Sequence, residues 1–174
     1  MTPKTARHVM VPLDDYPHAF DTQTLREAVK LLETREIRFG GQVSMPRILL
    51  VFDANNQLLG VARRRDILRG LEPDFHSELE TTHPEAHIKT EIDPNLSDLA
   101  GDDISERLEH RLEKPLGEVV RELQGRVNAD DSLMKVVREL VGEDSHIAAV
   151  LDDGDVIGVV RTLDVLRAVC EGHY

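Results

Sequence analysis

Ile147-Ala148-Ala149-Val150-Leu151-Asp152, a turn at Asp153-Gly154-Asp155, and then Val156-Ile157-Gly158-Val159-Val160 form the stretch whose reading decides the fold. Its two short apolar, β-branched runs read as buried strands. The Asp-Gly pair between them is a hairpin signal, since glycine accepts positive φ at low cost. The same arrangement stands earlier in the chain as Ile48-Leu49-Leu50-Val51-Phe52-Asp53, a polar turn at Ala54-Asn55-Asn56-Gln57, and Leu58-Leu59-Gly60-Val61-Ala62. Each hairpin runs into a helix, from about Arg65 to Leu71 and from about Leu163 to Glu171.

Working outward, each hairpin is preceded by an amphipathic helix with one apolar stripe. Leu25, Ala28, Val29 and Leu32 stand at i, i+3, i+4 and i+7, and so do Leu133, Val136, Val137 and Leu140. Thr24 with Glu27 three residues later predicts a capping box for the first, with Asp21 and Thr22 as other caps; Asp130 or Asp131 is the expected cap of the second. A helix, a hairpin and a closing helix, stated twice, predict an α/β (α+β) module of two pseudo-symmetric repeats, each a small sheet with flanking helices. The repeats are expected over residues 1–71 and 114–174. Between them, 72–113 reads as an acidic, His-containing insertion interrupted by Pro73, Pro84 and Pro94, with Ile104, Leu108 and Leu112 marking a partly buried helix near its end.

Composition narrows the function. Hydrophobic residues make up 40% and charged residues 31%, the balance of a folding globular chain. A formal net charge of −12 and only 3% aromatics argue against nucleic acid, which requires cations and stacking platforms. The sequence offers no apolar run of the length a membrane span requires, and its single cysteine, Cys170, cannot form an internal disulfide; the expected setting is cytoplasmic, with no membrane partner.

At its hairpins the sequence resembles the CBS-domain family, whose repeats carry Val-Val-Asp, a turn, and Gly-hydrophobic-hydrophobic-(Ser/Thr)-x-x-Asp leading into a helix. Here that stretch is Gly60-Val61-Ala62-Arg63-Arg64-Arg65-Asp66 and Gly158-Val159-Val160-Arg161-Thr162-Leu163-Asp164, after Val51-Phe52-Asp53 and Val150-Leu151-Asp152. His8-Val9-Met10-Val11-Pro12 and Lys114-Pro115-Leu116-Gly117-Glu118-Val119-Val120 resemble the family's lead-in segments. The resemblance covers about residues 5–71 and 114–172. It implies a tandem (Bateman) module with two clefts for an adenine nucleotide (AMP, ADP, ATP or an S-adenosyl compound) as regulatory ligand, a homodimer, and signalling to a separate effector protein. It implies neither catalysis nor an obligatory cofactor.

The same resemblance carries a ribose-binding role onto Asp66 and Asp164, because an ionised carboxylate accepts two hydroxyl donors at once. A carboxylate in the first turn of a helix also simply complements the helix dipole. The sequence departs from the family where Ser or Thr is usual, with Arg63 and Arg161 in its place. An arginine there offers a forked bond to phosphate, or pairs with its own aspartate, or lies on a solvated face. If Arg63 and Arg161 block the clefts, the chain is instead a ligand-free interaction or assembly module. Thr162 retains a hydroxyl beside Arg161, which makes the second cleft the expected nucleotide site. Gly60 and Gly158 are expected to serve close packing of strand on helix. His83 and His87 lack the HExxH order of a zinc site, Asp152, Asp153 and Asp155 lack the spacing of a calcium loop, and no catalytic signature stands out, so neither a metal nor an enzyme is expected.

Overall fold

A computed structural model describes residues 4–72, 101–143 and 145–172. The first repeat runs β2 (His18–Phe20), after a two-residue strand β1 (Val11–Pro12) and a short helix α1 (Ala6–Val9), then α2 (Leu25–Thr34), β3 (Ile37–Phe39), β4 (Gln42–Ser44), β5 (Ile48–Phe52), β6 (Leu58–Arg63) and α3 (Arg64–Leu71). After α4 (Gly101–Leu112), the second runs β7 (Arg126–Asn128), α5 (Leu133–Gly142), β8 (Ile147–Asp152), β9 (Asp155–Arg161) and α6 (Thr162–Cys170). The expected repeat is therefore present in order, and α4 accounts for the Leu108 and Leu112 spacing, with both side chains partly buried. Residues 73–100 of the expected insertion, including His83 and His87, lie outside the described residues, as does the side chain of Ile104.

The two repeats match strand for strand. In the first sheet β2 pairs parallel with β5, which pairs antiparallel with β6; in the second β7 pairs parallel with β8, which pairs antiparallel with β9. Both hairpins carry a register shift at the same place, between Val51 and Phe52 and between Val150 and Leu151. Asp153 and Gly154 both have positive φ, 49° and 93°, so the second hairpin closes in the tight turn its sequence predicts.

Local chemistry sets the helix starts. Thr24 Oγ1 accepts the Glu27 N–H (3.2 Å) while Glu27 Oε2 accepts the Thr24 N–H (2.8 Å), the expected capping box. For α5 the cap is Ser132, whose Oγ accepts the Lys135 N–H (3.3 Å), and not Asp130 or Asp131. Asp131 instead takes the Asn128 N–H (2.8 Å) and the Lys135 ammonium (2.7 Å), which fix the turn ahead of the helix.

The strands alternate between two apolar layers. Leu49 and Val51 face α2 and α3 together with Leu25, Ala28, Leu32 and Ile67, whereas Leu50, Phe52 and Val61 face a shared central layer. In the second repeat Ala148, Val150 and Val160 face α5 and α6, and Ile147, Ala149 and Val159 face that same central layer. Burial on both faces explains why these strands are continuous apolar runs without a polar alternate.

The lead-in segments are exchanged. Ala6 and Arg7 donate their N–H groups to the carbonyls of Asp131 and Ala129 (both 2.9 Å), Ala6 and Val9 pack in the second repeat's layer, and β1 pairs antiparallel with β9. Reciprocally, Leu116 and Gly117 donate to the carbonyls of Gln23 (2.7 Å) and Asp21 (2.9 Å), and Arg121 and Val61 exchange both backbone hydrogen bonds at 2.8 and 2.9 Å. At each crossing the strand faced is a glycine. A Cβ at Gly158 would stand 2.5 Å from the Val11 carbonyl oxygen, and one at Gly60 would collide with the Arg121 carbonyl. What approaches these glycines is the other repeat's backbone, not the helix expected from the sequence.

Gly60→Ala and Gly158→Ala are each expected to cost about 1–3 kcal/mol in urea unfolding, because the colliding atoms are backbone and cannot swing aside. Gly142→Ala, at the end of α5 with nothing within 4 Å, should be neutral or stabilising by up to about 1 kcal/mol. Equal stabilities for all three variants would refute the crossing constraint.

Candidate functional site

Each closing helix begins in the same way. Arg63 and Arg161 occupy the capping positions of α3 and α6, and Asp66 and Asp164 follow three residues later. Both aspartates are buried, 2% and 3% exposed, and are the buried charged side chains among the described residues. A buried carboxylate requires partners to remain ionised, since desolvation alone penalises the charge.

The partners are arginines, and they differ between repeats. Asp66 Oδ2 accepts from Arg63 Nε at 2.8 Å and from the Arg63 N–H at 3.2 Å, and Arg63 Nη2 reaches Oδ1 at 3.4 Å. Its Oδ1 accepts from Arg121 Nε at 2.7 Å, with Arg69 Nη1 3.7 Å away. Asp164 is held in a fork by one residue, Arg161, whose Nε and Nη2 stand 2.5 and 2.9 Å from its two oxygens, with Arg167 Nη1 at 3.6 Å. Sequence reasoning paired neither Arg69 nor Arg167 with these aspartates, although an i,i+3 spacing from each was visible. Arg121 was missed because its partner stands 55 positions away. Its register on Val61 matches that of Val11 on Val159, so only the first cleft receives a cation from the lead-in segment.

Burial works against the ionised form of Asp66, but hydrogen bonds from Arg63 and Arg121 outweigh it and hold the carboxyl below the ordinary aspartate range. The side chains of Arg63 and Arg121 remain about half exposed, at 49% and 50%. Arg121 lines an open cleft of about 450 Å³ whose wall also includes Asp66, Arg69, Arg111, Lys114, Glu118 and Val120. Arg111 leans in from α4, donating to the Gly70 carbonyl at 3.4 Å.

The second cleft has a different roof. Arg161 is only 13% exposed and donates its remaining Nη1 to Ser44 Oγ at 2.7 Å. Ser44 belongs to the β3–β4 ribbon, which the sequence reading did not place, although Gly40-Gly41 was a turn signal. Thr162, the hydroxyl expected near the ligand, donates instead to the His146 carbonyl at 2.9 Å.

Two β-α units with exchanged lead-in segments, each with a buried aspartate at the start of its closing helix, make one duplicated module. The family model for the CBS domain matches residues 6–73 and 114–171, and the chain belongs to the CBS-domain family. Among solved structures it is similar to a CBS domain-containing protein of unknown function from Kribbella flavida, with TM-score 0.68 at 18% identity, covering 96% of this chain and 99% of that one. It is also similar to CBSX2 in complex with AMP, with TM-score 0.62 at 18% identity over 98% and 99% of the two chains. A third, the CBS domain of a CBS domain-containing membrane protein from Sphaerobacter thermophilus, has TM-score 0.62 at 18% identity over 95% and 87%. No curated protein matches the sequence. Among the described residues, no helix is long and apolar enough to cross a membrane.

Asp66→Asn should destabilise the protein at neutral pH by about 1–2 kcal/mol, less than the loss of a fully buried pair because its arginines are half exposed and screened. With the folded carboxyl below its ordinary value near 3.8, the ionic contribution is complete above that value and is lost as pH falls through the folded one. Urea unfolding from pH 7 to pH 2.5 should therefore show the two proteins converging at the acid end. A difference that is constant with pH would mean that the charge of Asp66 contributes nothing.

Proposed function

We propose that this CBS-domain pair is a non-catalytic regulatory module that binds an adenine nucleotide in the cleft at Asp66 and reports its occupancy to a separate effector protein. The observation that carries this reading is a buried carboxylate at the rim of an open cleft, held by cations from both repeats. A ribose can offer Asp66 two hydroxyl donors in place of two arginine donors. Arg69, Arg121 and Lys114, which line the cleft, are then placed for the phosphates, and Val119 and Val120 give the base an apolar wall. The AMP complex of CBSX2 supports the ligand class. The geometry favours the first cleft over the one at Asp164, because the Thr162 hydroxyl is committed to a backbone carbonyl and Arg161 is largely buried where Arg63 is half exposed.

Release of Arg121 from Asp66 would loosen a direct tie between the first repeat and the lead-in segment of the second. That supplies the differential contact a ligand needs to shift a population between two arrangements. A second reading, a ligand-free assembly module, is favoured by one observation: in both repeats the aspartate already has an internal arginine ligand.

A homodimer through the closing helices fits the exposed Leu68 on α3 and Leu163 and Leu166 on α6. Sedimentation should give a concentration-dependent dimer, and a monomer at all micromolar concentrations would exclude it.

AMP, ADP or ATP at 100 times its dissociation constant should stabilise the protein by about 2.7 kcal/mol, read as a rise in Tm of several degrees. Asp66→Asn should abolish the rise and Asp164→Asn should leave it. No rise with any of the three nucleotides would favour the assembly module, and loss with Asp164→Asn alone would move the site to the second cleft.

A further inference from the structure

The two repeats differ most where α2 and α5 connect to the following hairpin strand. Only four positions separate Gly142 from Ile147, whereas thirteen separate Thr34 from Ile48, and those hold the β3–β4 ribbon. The ribbon is a tight hairpin in which Ile37 pairs with Ser44 and Phe39 with Gln42, closed by Gly40 and Gly41 at φ 58° and 74°. Positive φ at both turn positions admits glycine at no steric cost, which fixes the turn in the twisted form that suits a two-stranded ribbon.

Its base is anchored and its arm reaches across to the other repeat. Ile37 is buried in the central layer with Tyr16, Leu50 and Val159, and Phe39 packs against that layer. Beside it, buried Tyr16 donates its hydroxyl to the Ile48 carbonyl at 3.1 Å, which ties the strand after the ribbon to the same layer. From this footing Ser44 Oγ accepts from Arg161 Nη1 at 2.7 Å, and a Cβ at Gly40 would stand 3.3 Å from Arg167 Nη1. The two arginines so contacted are the two that flank Asp164. Arg161 thus spends Nε and Nη2 on the carboxylate and Nη1 on the ribbon, and its exposure falls to 13%, against 49% for its counterpart Arg63.

We infer that the β3–β4 ribbon is a built-in lid over Asp164, with Arg161 seated on that carboxylate as an internal ligand, so that the module presents the first cleft alone to small molecules while the ribbon is closed. The lid belongs to the first repeat and the sealed carboxylate to the second, so opening the ribbon would expose a latent anion and ribose site made of Asp164, Arg161 and Arg167. The ligand class rests on the nucleotide reading above; the closure does not.

The test separates the two. Arginine modification by phenylglyoxal, mapped by peptide mass, should label Arg161 more slowly than Arg63 in the unmodified protein, by roughly the fourfold ratio of their exposures (49% to 13%). Replacing residues 38–43 by Asn-Gly together with Ser44→Ala, which removes the arm and its contact to Arg161 while leaving Ile37 in place, should bring Arg161 to the rate of Arg63. Ser44→Ala, which leaves the core contacts of the ribbon in place, should give an intermediate rate and serves if the shortened protein does not unfold cooperatively. Calorimetric titration with ATP should then give one site per chain for the unmodified protein and two for the shortened one, the added site being lost with Asp164→Asn. Unchanged protection of Arg161 in both variants would overturn the lid, as would two ATP sites in the unmodified protein, one of them removed by Asp164→Asn. Absence of ATP binding in every variant would overturn the nucleotide reading alone, and the lid would then stand or fall on the arginine labelling.

Discussion

The carbonyl oxygens of Arg121 and Val11 lie against Gly60 and Gly158, where any other residue would carry a Cβ, and this pair of crossings holds the rest of the molecule in place. Each crossing brings the lead-in segment of one repeat onto the outer strand of the other. Neither repeat completes its apolar layer alone: the first borrows Leu116 and the second borrows Ala6 and Val9. A strand edge that would otherwise expose unpaired N–H and C=O groups is paired by the partner repeat. The consequence is mechanical, because a displacement of either lead-in segment is felt directly in the opposite sheet.

The same exchange brings charge to the first cleft. Arg121 arrives on the lead-in of the second repeat and ends on Asp66 of the first, so an ion pair spans the two halves at the mouth of an open cleft. Buried carboxylates gain little net stability from such pairs, since desolvation cancels much of the attraction. Arg63 and Arg121 both pair with Asp66 and both stay half exposed, so either guanidinium can turn toward solvent while the other keeps the carboxylate paired. Arg161 is not in that position. With thirteen per cent of its side chain exposed and a third donor spent on Ser44, its release would require the ribbon to move as well. One motif, Arg-x-x-Asp, therefore stands half exposed in one repeat and nearly buried in the other.

Most of the architecture was legible in the chain because its signals are local. The repeated strands announced themselves as apolar runs, α2 and α5 as stripes at helical spacing, and the start of α2 as Thr24 with Glu27 three residues on. The two aspartates were also legible at the helix starts, and their pairing with Arg63 and Arg161 was one of the readings the three-residue spacing left open. Where several polar residues crowd one turn, local reading becomes ambiguous: Asp130, Asp131 and Ser132 all suit a cap, and only backbone direction selects Ser132.

What the sequence by itself determined, then, is the duplicated fold and the placing of Asp66 and Asp164 at the two helix starts, because neighbours within a few residues dictate both. The tertiary structure decided which arginines hold each aspartate and what touches the glycine of each hairpin. Those outcomes depend on partners 55 positions away for Asp66 with Arg121 and 117 away for Arg161 with Ser44. No periodicity or local propensity carries information over that separation; it exists only once the exchanged segments and the ribbon have packed.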